Sequence, residues 1–115
     1  FVVYSNEAKV SRLGVEQEML DEHGAVSEPV ARLMAEGIRR VAGADIGVSV
    51  TGISGPTGGS DKKPVGLTYI AVSDSTGTWC GKYIYTHDRI KNKERTAQTA
   101  LNLLRLRLLG LLEEA

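Results

Sequence analysis

An α/β domain, with a mixed sheet carrying helices on its faces, is what this sequence predicts, and three observations carry the expectation. Apolar residues recur at helical spacing in some stretches and alternate in others, giving the order β-α-α-α-β-β-β-α. The 115 residues suit one domain, residues 1–115, built around a single core. Hydrophobic residues at 42% and charged residues at 24% are ordinary values for a chain that packs such a core.

Phe1-Val2-Val3-Tyr4 is β-branched and aromatic, which reads as a strand. No Met opens it, and a domain rarely begins inside a buried strand, so residues are expected upstream. Ser5 or Asn6 can cap a short helix through Leu13, with Glu7 in the first turn, where a carboxylate suits the helix dipole. Gly14 ends that helix. Val15 to His23 reads as a second short helix, with Met19 and Leu20 inward and Gly24 as its stop. Ser27 then caps a third, in which Pro29 is tolerated in the first turn and Val30, Leu33, Met34, Ile38 and Val41 form one stripe up to Gly43.

Asp45 to Thr51 alternates: Ile46, Val48 and Val50 share one face, and Gly47, Ser49 and Thr51 the other. The small face allows close packing by a helix or a ligand. Gly52 to Pro64 holds too many glycines and prolines to be anything but a loop. Gly66 to Val72 is apolar on both faces, as a central covered strand is. Asp74 to Gly77 turns, and Trp79 to Tyr85 returns as its hairpin partner. From Arg89 a long helix is expected to turn Ala97, Ala100, Leu101, Leu104, Leu108 and Leu111 inward, with Leu103, Leu106 and Leu112 widening the stripe. A leucine face this broad is either well covered or part of a homo-oligomer contact.

Charge and cysteine content narrow the function. Fourteen basic residues balance fourteen acidic ones, which argues against a general nucleic-acid binder, whose affinity comes largely from excess Lys and Arg. A local anion site remains open. Cys80 stands alone, and His23 and His87 lack the spacing of a helical metal site, so no metal and no cofactor is expected. No run of ~18 apolar residues spans a membrane, and the N-terminus lacks a signal-peptide pattern. A reduced, cytoplasmic domain is the expectation.

Thirteen glycines exceed average usage, and the densest run is Gly52-Ile53-Ser54-Gly55-Pro56-Thr57-Gly58-Gly59-Ser60. Small residues after a strand expose backbone N–H groups that suit a phosphate or oxyanion. The run lacks the terminal Gly-Lys-Ser/Thr of a nucleotide-binding P-loop and does not fit GxGxxG. An anion cradle and an ordinary glycine-rich connection both fit it. Tyr4 and Lys9 flank a strand-to-helix junction, the crevice where α/β sheets bind ligands. Lys9 there reads either as a desolvated base for a serine nucleophile or as a surface lysine lying over Tyr4. Arg89 could clamp a phosphate; the plainer reading has Asp88 capping the helix and Arg89 solvated. Cys80 reads as a packed side chain, and Lys62-Lys63 as anion-steering or merely solvated.

Five stretches stand in order: Val3-Tyr4-Ser5-Asn6-Glu7-Ala8-Lys9, His23-Gly24-Ala25-Val26-Ser27, Thr51 to Gly59, Lys63-Pro64-Val65-Gly66 and Asp88-Arg89. Together they closely resemble the CinA C-terminal domain family, which includes the nicotinamide mononucleotide (NMN) deamidases of bacterial pyridine-nucleotide salvage. The resemblance implies a three-layer α/β/α sandwich and hydrolysis of the NMN carboxamide to nicotinic acid mononucleotide and ammonia, without a metal. It also implies a serine nucleophile in an Ala-Glu-Ser-Cys-Thr-Gly-Gly stretch upstream of the Tyr-Ser-Asn-Glu-Ala-Lys motif. That stretch is absent from these residues, and Ser5, Ser27 and Ser54 do not match it.

Carried onto matching positions, Lys9 is the base for that serine, and Tyr4 positions the lysine or the leaving ammonia by its hydroxyl. Asn6, Thr51, Gly52, Ser54, Gly55, Gly58 and Gly59 hold the nucleotide or donate to the oxyanion, and Arg89 meets the 5′-phosphate. His87 departs from the glycine expected before Asp-Arg. The expected function is therefore NMN amidohydrolysis. The alternatives are a non-catalytic nucleotide-binding module and a competence-associated accessory protein. Zero net charge speaks against direct DNA contact by the latter.

Overall fold

The computed structural model describes residues 1–112. Helices α1 (Asn6–Leu13), α2 (Gln17–His23) and α3 (Glu28–Ala42) precede strands β1 (Gly47–Gly52), β2 (Leu67–Asp74) and β3 (Gly77–Ile84). Helix α4 (Arg89–Leu108) follows. The strands form one sheet in the order β1-β2-β3, with Ser49 opposite Ala71 and Ala71 opposite Cys80.

Alternation along the strands builds the three layers. One face carries Ser49, Ala71 and Cys80, and α3 packs on it through Ala31 and Ala35. Small residues on both sides bring helix and sheet close: Ser49 Oγ donates to the Ala31 carbonyl at 2.6 Å. A Cβ at Gly47 would collide with the Ala35 carbonyl, so the small face of β1 is a packing requirement. Behind α3, Leu13, Val15, Leu20, Val30 and Met34 join α1 and α2 to it. The opposite face carries Ile70 and Val72, which meet Leu103 of α4. Burying each such side chain contributes about 1.5–3 kcal/mol. The result is the expected α/β/α sandwich.

Local signals explain the element ends. Ser5 caps α1 by accepting from the Ala8 N–H at 3.0 Å, and Asp88 caps α4 by accepting from the Lys91 N–H at 2.9 Å. Gly14 and Gly43 close α1 and α3. Ser27 stands at the N-cap of α3 as expected, yet its hydroxyl donates backwards to the Gly24 carbonyl at 2.8 Å. Helix α2 starts at Gln17 rather than Val15, whose side chain is wholly buried in the core.

Two expectations are corrected. Residues 1–4 form no strand: none of the described strands pairs with them, and the Val3 and Tyr4 carbonyls accept from Lys9 instead. The sheet is accordingly antiparallel throughout rather than mixed, since the crossover from an opening strand would have supplied its parallel member. The inward face of α4 also differs. Asn92 and Leu103 are buried, and Ala100 is partly buried against the sheet. Ala97, Leu101, Leu108 and Leu111 are exposed. Polar anchors set this rotation: Asn92 bonds to Ser54, and Thr99 to the Tyr85 hydroxyl. They turn the leucine stripe outward by about one residue position, some 100°.

Candidate active site

A cavity of about 810 Å³ opens between the first residues of the chain, α1, β1, the Gly52–Gly66 loop and the start of α4. Its size lies within the range that takes small-molecule ligands. Its lining mixes apolar residues, among them Leu13, Met34, Ile38, Val48 and Val50, with polar ones, Lys9, Thr51, Ser54, Thr68 and Arg89.

Lys9 is the buried ionisable group of this site, only 5% exposed. Its position follows from the sequence: four residues beyond the Ser5 cap, it lies on the inner side of α1. Nζ donates to the Val3 carbonyl at 2.7 Å and the Tyr4 carbonyl at 3.2 Å. Burial lowers its pKa, because desolvation penalises the ammonium. A neutral amine that spends both its N–H groups on those carbonyls keeps its lone pair free. That is the arrangement a general base needs.

Tyr4 reaches Lys9 through its carbonyl rather than the expected hydroxyl, and its ring is 82% exposed. Asn6 is exposed at the start of α1 and lies outside the cavity lining. Thr51 lines the cavity but is buried and committed, donating to the Ala25 carbonyl at 2.8 Å. Gly52, Ser54, Gly55 and Gly58 line the cavity, whereas Gly59 sits behind them, where a Cβ would come within 2.6 Å of the Val65 N–H nitrogen.

The loop folds back on itself through an Ile53 N–H to Leu67 carbonyl bond of 2.9 Å and a Gly66 N–H to Ile53 carbonyl bond. Gly55 adopts φ +86°, and a Cβ there would strike the Val65 side chain, so glycine is required on both counts. Among the described residues, the N–H groups of Ser54, Gly55, Thr57, Gly58 and Gly59 have no intramolecular acceptor. They form a run of donors suited to an anion.

Arg89 is exposed on the first turn of α4 and donates Nη1 to the Gly55 carbonyl at 2.8 Å. Its remaining N–H groups meet no acceptor among the described residues. Sequence reading missed four residues that join this site from α4: Asn92, Lys93, Thr96 and Ala97. The last three line the cavity, and Asn92 bonds the loop. Their i, i+3/i+4 relation to Arg89 was the available signal for Lys93 and Asn92.

Other candidates lie elsewhere. Lys63 donates Nζ to the His23 carbonyl at 2.6 Å, tying the loop to the C-terminal end of α2. Cys80 is packed under α3, and burial pushes its thiol up to about 11.

Comparison with known proteins places this geometry. The model of the CinA C-terminal domain matches residues 1–108. The chain belongs to the CinA C-terminal domain family. Its relatives include a CinA-like protein of Syntrophus aciditrophicus, 51% identical over 105 residues, which are 90% of this chain and 25% of that protein. A protein of Caldicellulosiruptor bescii described as a putative competence-damage inducible protein is 48% identical, over 95% of this chain and 26% of its own length.

Solved CinA-family structures share the fold. The competence/damage inducible protein CihA from Agrobacterium tumefaciens superposes with a TM-score of 0.88 at 42% identity, covering 90% of this chain and 64% of that one. A CinA superfamily protein from Enterobacter cloacae gives 0.88 at 32% identity, covering 94% and 64%. The chain thus spans about a quarter of the length of the curated relatives it matches. Among its described residues no helix is long and apolar enough to cross a membrane.

Proposed function

We propose that this CinA C-terminal domain forms the nucleotide-binding and base-supplying part of a cytoplasmic amidohydrolase that converts NMN to nicotinic acid mononucleotide and ammonia. The observation that carries the reading is Lys9: a buried amine with lowered pKa, held by two carbonyls, in a cavity that also presents free backbone donors and an arginine. Base, anion donors and cation within one cavity are the parts that amide hydrolysis on a phosphorylated substrate requires.

In this reading the nucleophile is the serine of the Ala-Glu-Ser-Cys-Thr-Gly-Gly stretch found in the family. Of the serines here, Ser5 caps α1 and Ser27 and Ser49 are spent on backbone carbonyls, while Ser54 lines the cavity but does not match the family's stretch. Neutral Lys9 takes the serine proton as the serine oxygen adds to the carboxamide carbon. The resulting oxyanion is met by loop N–H groups, each such donor contributing about 3 kcal/mol in other hydrolases. The C–N bond then breaks, the Lys9 ammonium returns its proton to the leaving nitrogen, and ammonia departs. Water, deprotonated by the same amine, attacks the acyl ester and releases the carboxylate product and the serine. The 5′-phosphate meets Arg89 and the remaining loop donors.

The test is ammonia release from NMN by the full-length protein that carries this domain, with Lys9→Met beside it. Release that disappears in the variant supports the amidohydrolase. NMN binding without release supports a non-catalytic nucleotide-binding module instead.

A further inference from the structure

We propose that Asn92 is the positioning residue of the glycine loop, fixing residues 54–59 in the orientation that receives the nucleotide; this rests on the amidohydrolase reading above. The residue is 2% exposed on the first turns of α4. Both ends of its carboxamide are used. Oδ1 accepts the His87 N–H at 3.1 Å, and Nδ2 donates to the Ser54 carbonyl at 3.0 Å.

Helix propensity does not explain an asparagine here, since asparagine is a poor helix former and an aliphatic side chain would pack more cheaply. The cross-loop bond does. Between its base at Ile53–Gly66 and the Lys63 tie to His23, the loop has two side-chain anchors among the described residues: Asn92 on Ser54 and Arg89 on Gly55.

The two anchors differ in one respect that divides their work. Arg89 is exposed and can exchange the Gly55 carbonyl for a phosphate oxygen, the part-buried hydrogen bond it gives up being offset by a charge-assisted one. Asn92 is buried and has nowhere else to go, because breaking its bond to Ser54 would leave an amide and a carbonyl unpaired. Asn92 therefore keeps the loop in register while Arg89 changes partner. Its contribution falls on substrate binding, through a loop whose free donors at Gly55 and Gly58 already line the cavity.

The experiment uses the full-length protein with Asn92→Asp and Asn92→Ala. The first keeps shape and the acceptor to His87 while turning the Ser54 donor into an acceptor. The second carries no buried charge and covers the case in which a buried carboxylate unfolds the protein. The expected result, per folded site, is a KM for NMN raised at least tenfold with kcat within about threefold. Backbone ¹⁵N order parameters at Gly55, Gly58 and Gly59 should fall from the rigid range near 0.85 toward 0.6. A purely structural role lowers the melting temperature and the folded fraction but leaves KM unchanged. Unchanged KM in folded Asn92→Ala overturns the proposal. Native protein that releases no ammonia from NMN overturns the amidohydrolase reading instead, and the order parameters then decide Asn92 alone: unchanged values at the three glycines overturn its role.

Discussion

Replacing Lys9 with methionine separates its chemistry from its packing. The side chain is 5% exposed, and methionine keeps an unbranched apolar stem of similar length. The amine is lost, together with its bonds to the Val3 and Tyr4 carbonyls. At about 1 kcal/mol each, those bonds set a loss near 2 kcal/mol. Removing a group whose burial already disfavours its charge returns part of that, leaving a net cost of about 1 kcal/mol. A general base contributes about 10²–10⁴-fold to rate, or roughly 3–5 kcal/mol of barrier. Ammonia release from NMN by the full-length protein should therefore fall at least about 100-fold, while the melting temperature moves by only about 4 °C or less. The pH profile carries a second signature. Native turnover rises with pH as the Lys9 ammonium deprotonates, and the lowered pKa places that rise below the ordinary lysine value of 10.5. A Lys9→Met enzyme that retains turnover within about threefold, with the same rising limb, refutes the assignment of Lys9 as base.

Three further outcomes are expected. Arg89→Ala should raise KM for NMN about tenfold more than for nicotinamide riboside, which lacks the phosphate, with a smaller shared loss from the Gly55 bond; equal losses remove Arg89 from the phosphate site. Asp74→Asn should cost about 2–4 kcal/mol, since the Arg107 guanidinium, 7% exposed, loses its carboxylate at 2.7 Å. Arg107 holds the Asp74 carboxyl well below the usual carboxylate range, so this stability is fully present above the unfolded value near 3.8 and is lost as pH falls below it; acid melts of Asp74→Asn should lack that limb, and an identical acid limb contradicts the ion pair's role. The expected homo-oligomer makes the exposed Leu101, Leu108 and Leu111 stripe its contact: Leu101→Glu with Leu108→Glu should reduce the mass seen by light scattering to a monomer's, and an unchanged mass removes the stripe from the contact.

Local signals made most of the fold legible. Helix caps at Ser5 and Asp88, glycine stops at Gly14 and Gly43, and the alternation of Ile46 to Thr51 are properties of a few adjacent residues, and each is found where expected. Strand Phe1–Tyr4 failed for a non-local reason: β propensity needs a paired neighbour, and here the carbonyls of Val3 and Tyr4 serve Lys9. The α4 face failed similarly. Hydrophobic spacing favoured Leu101 and Leu108, but the bonds of buried Asn92 to Ser54 and of Thr99 to the Tyr85 hydroxyl set the rotation of the helix. At the site, Lys9, the glycine loop and Arg89 were singled out by the five motifs standing in order, since the residues alone also fit a surface lysine, an ordinary connection and a solvated arginine. The carbonyl contact of Tyr4, the commitment of Thr51 to Ala25, and the anchor at Asn92 depend on backbone atoms brought together from distant segments.

The central claim is that this domain acts on the carboxamide of a phosphorylated nicotinamide nucleotide with Lys9 as base. Product analysis on the full-length protein, supplied with NMN in the presence of a metal chelator, tests it most directly. The account predicts ammonia and nicotinic acid mononucleotide in equal amounts, with both lost in Lys9→Met. NMN recovered intact from a folded protein, or equal product from the Lys9→Met variant, would contradict it.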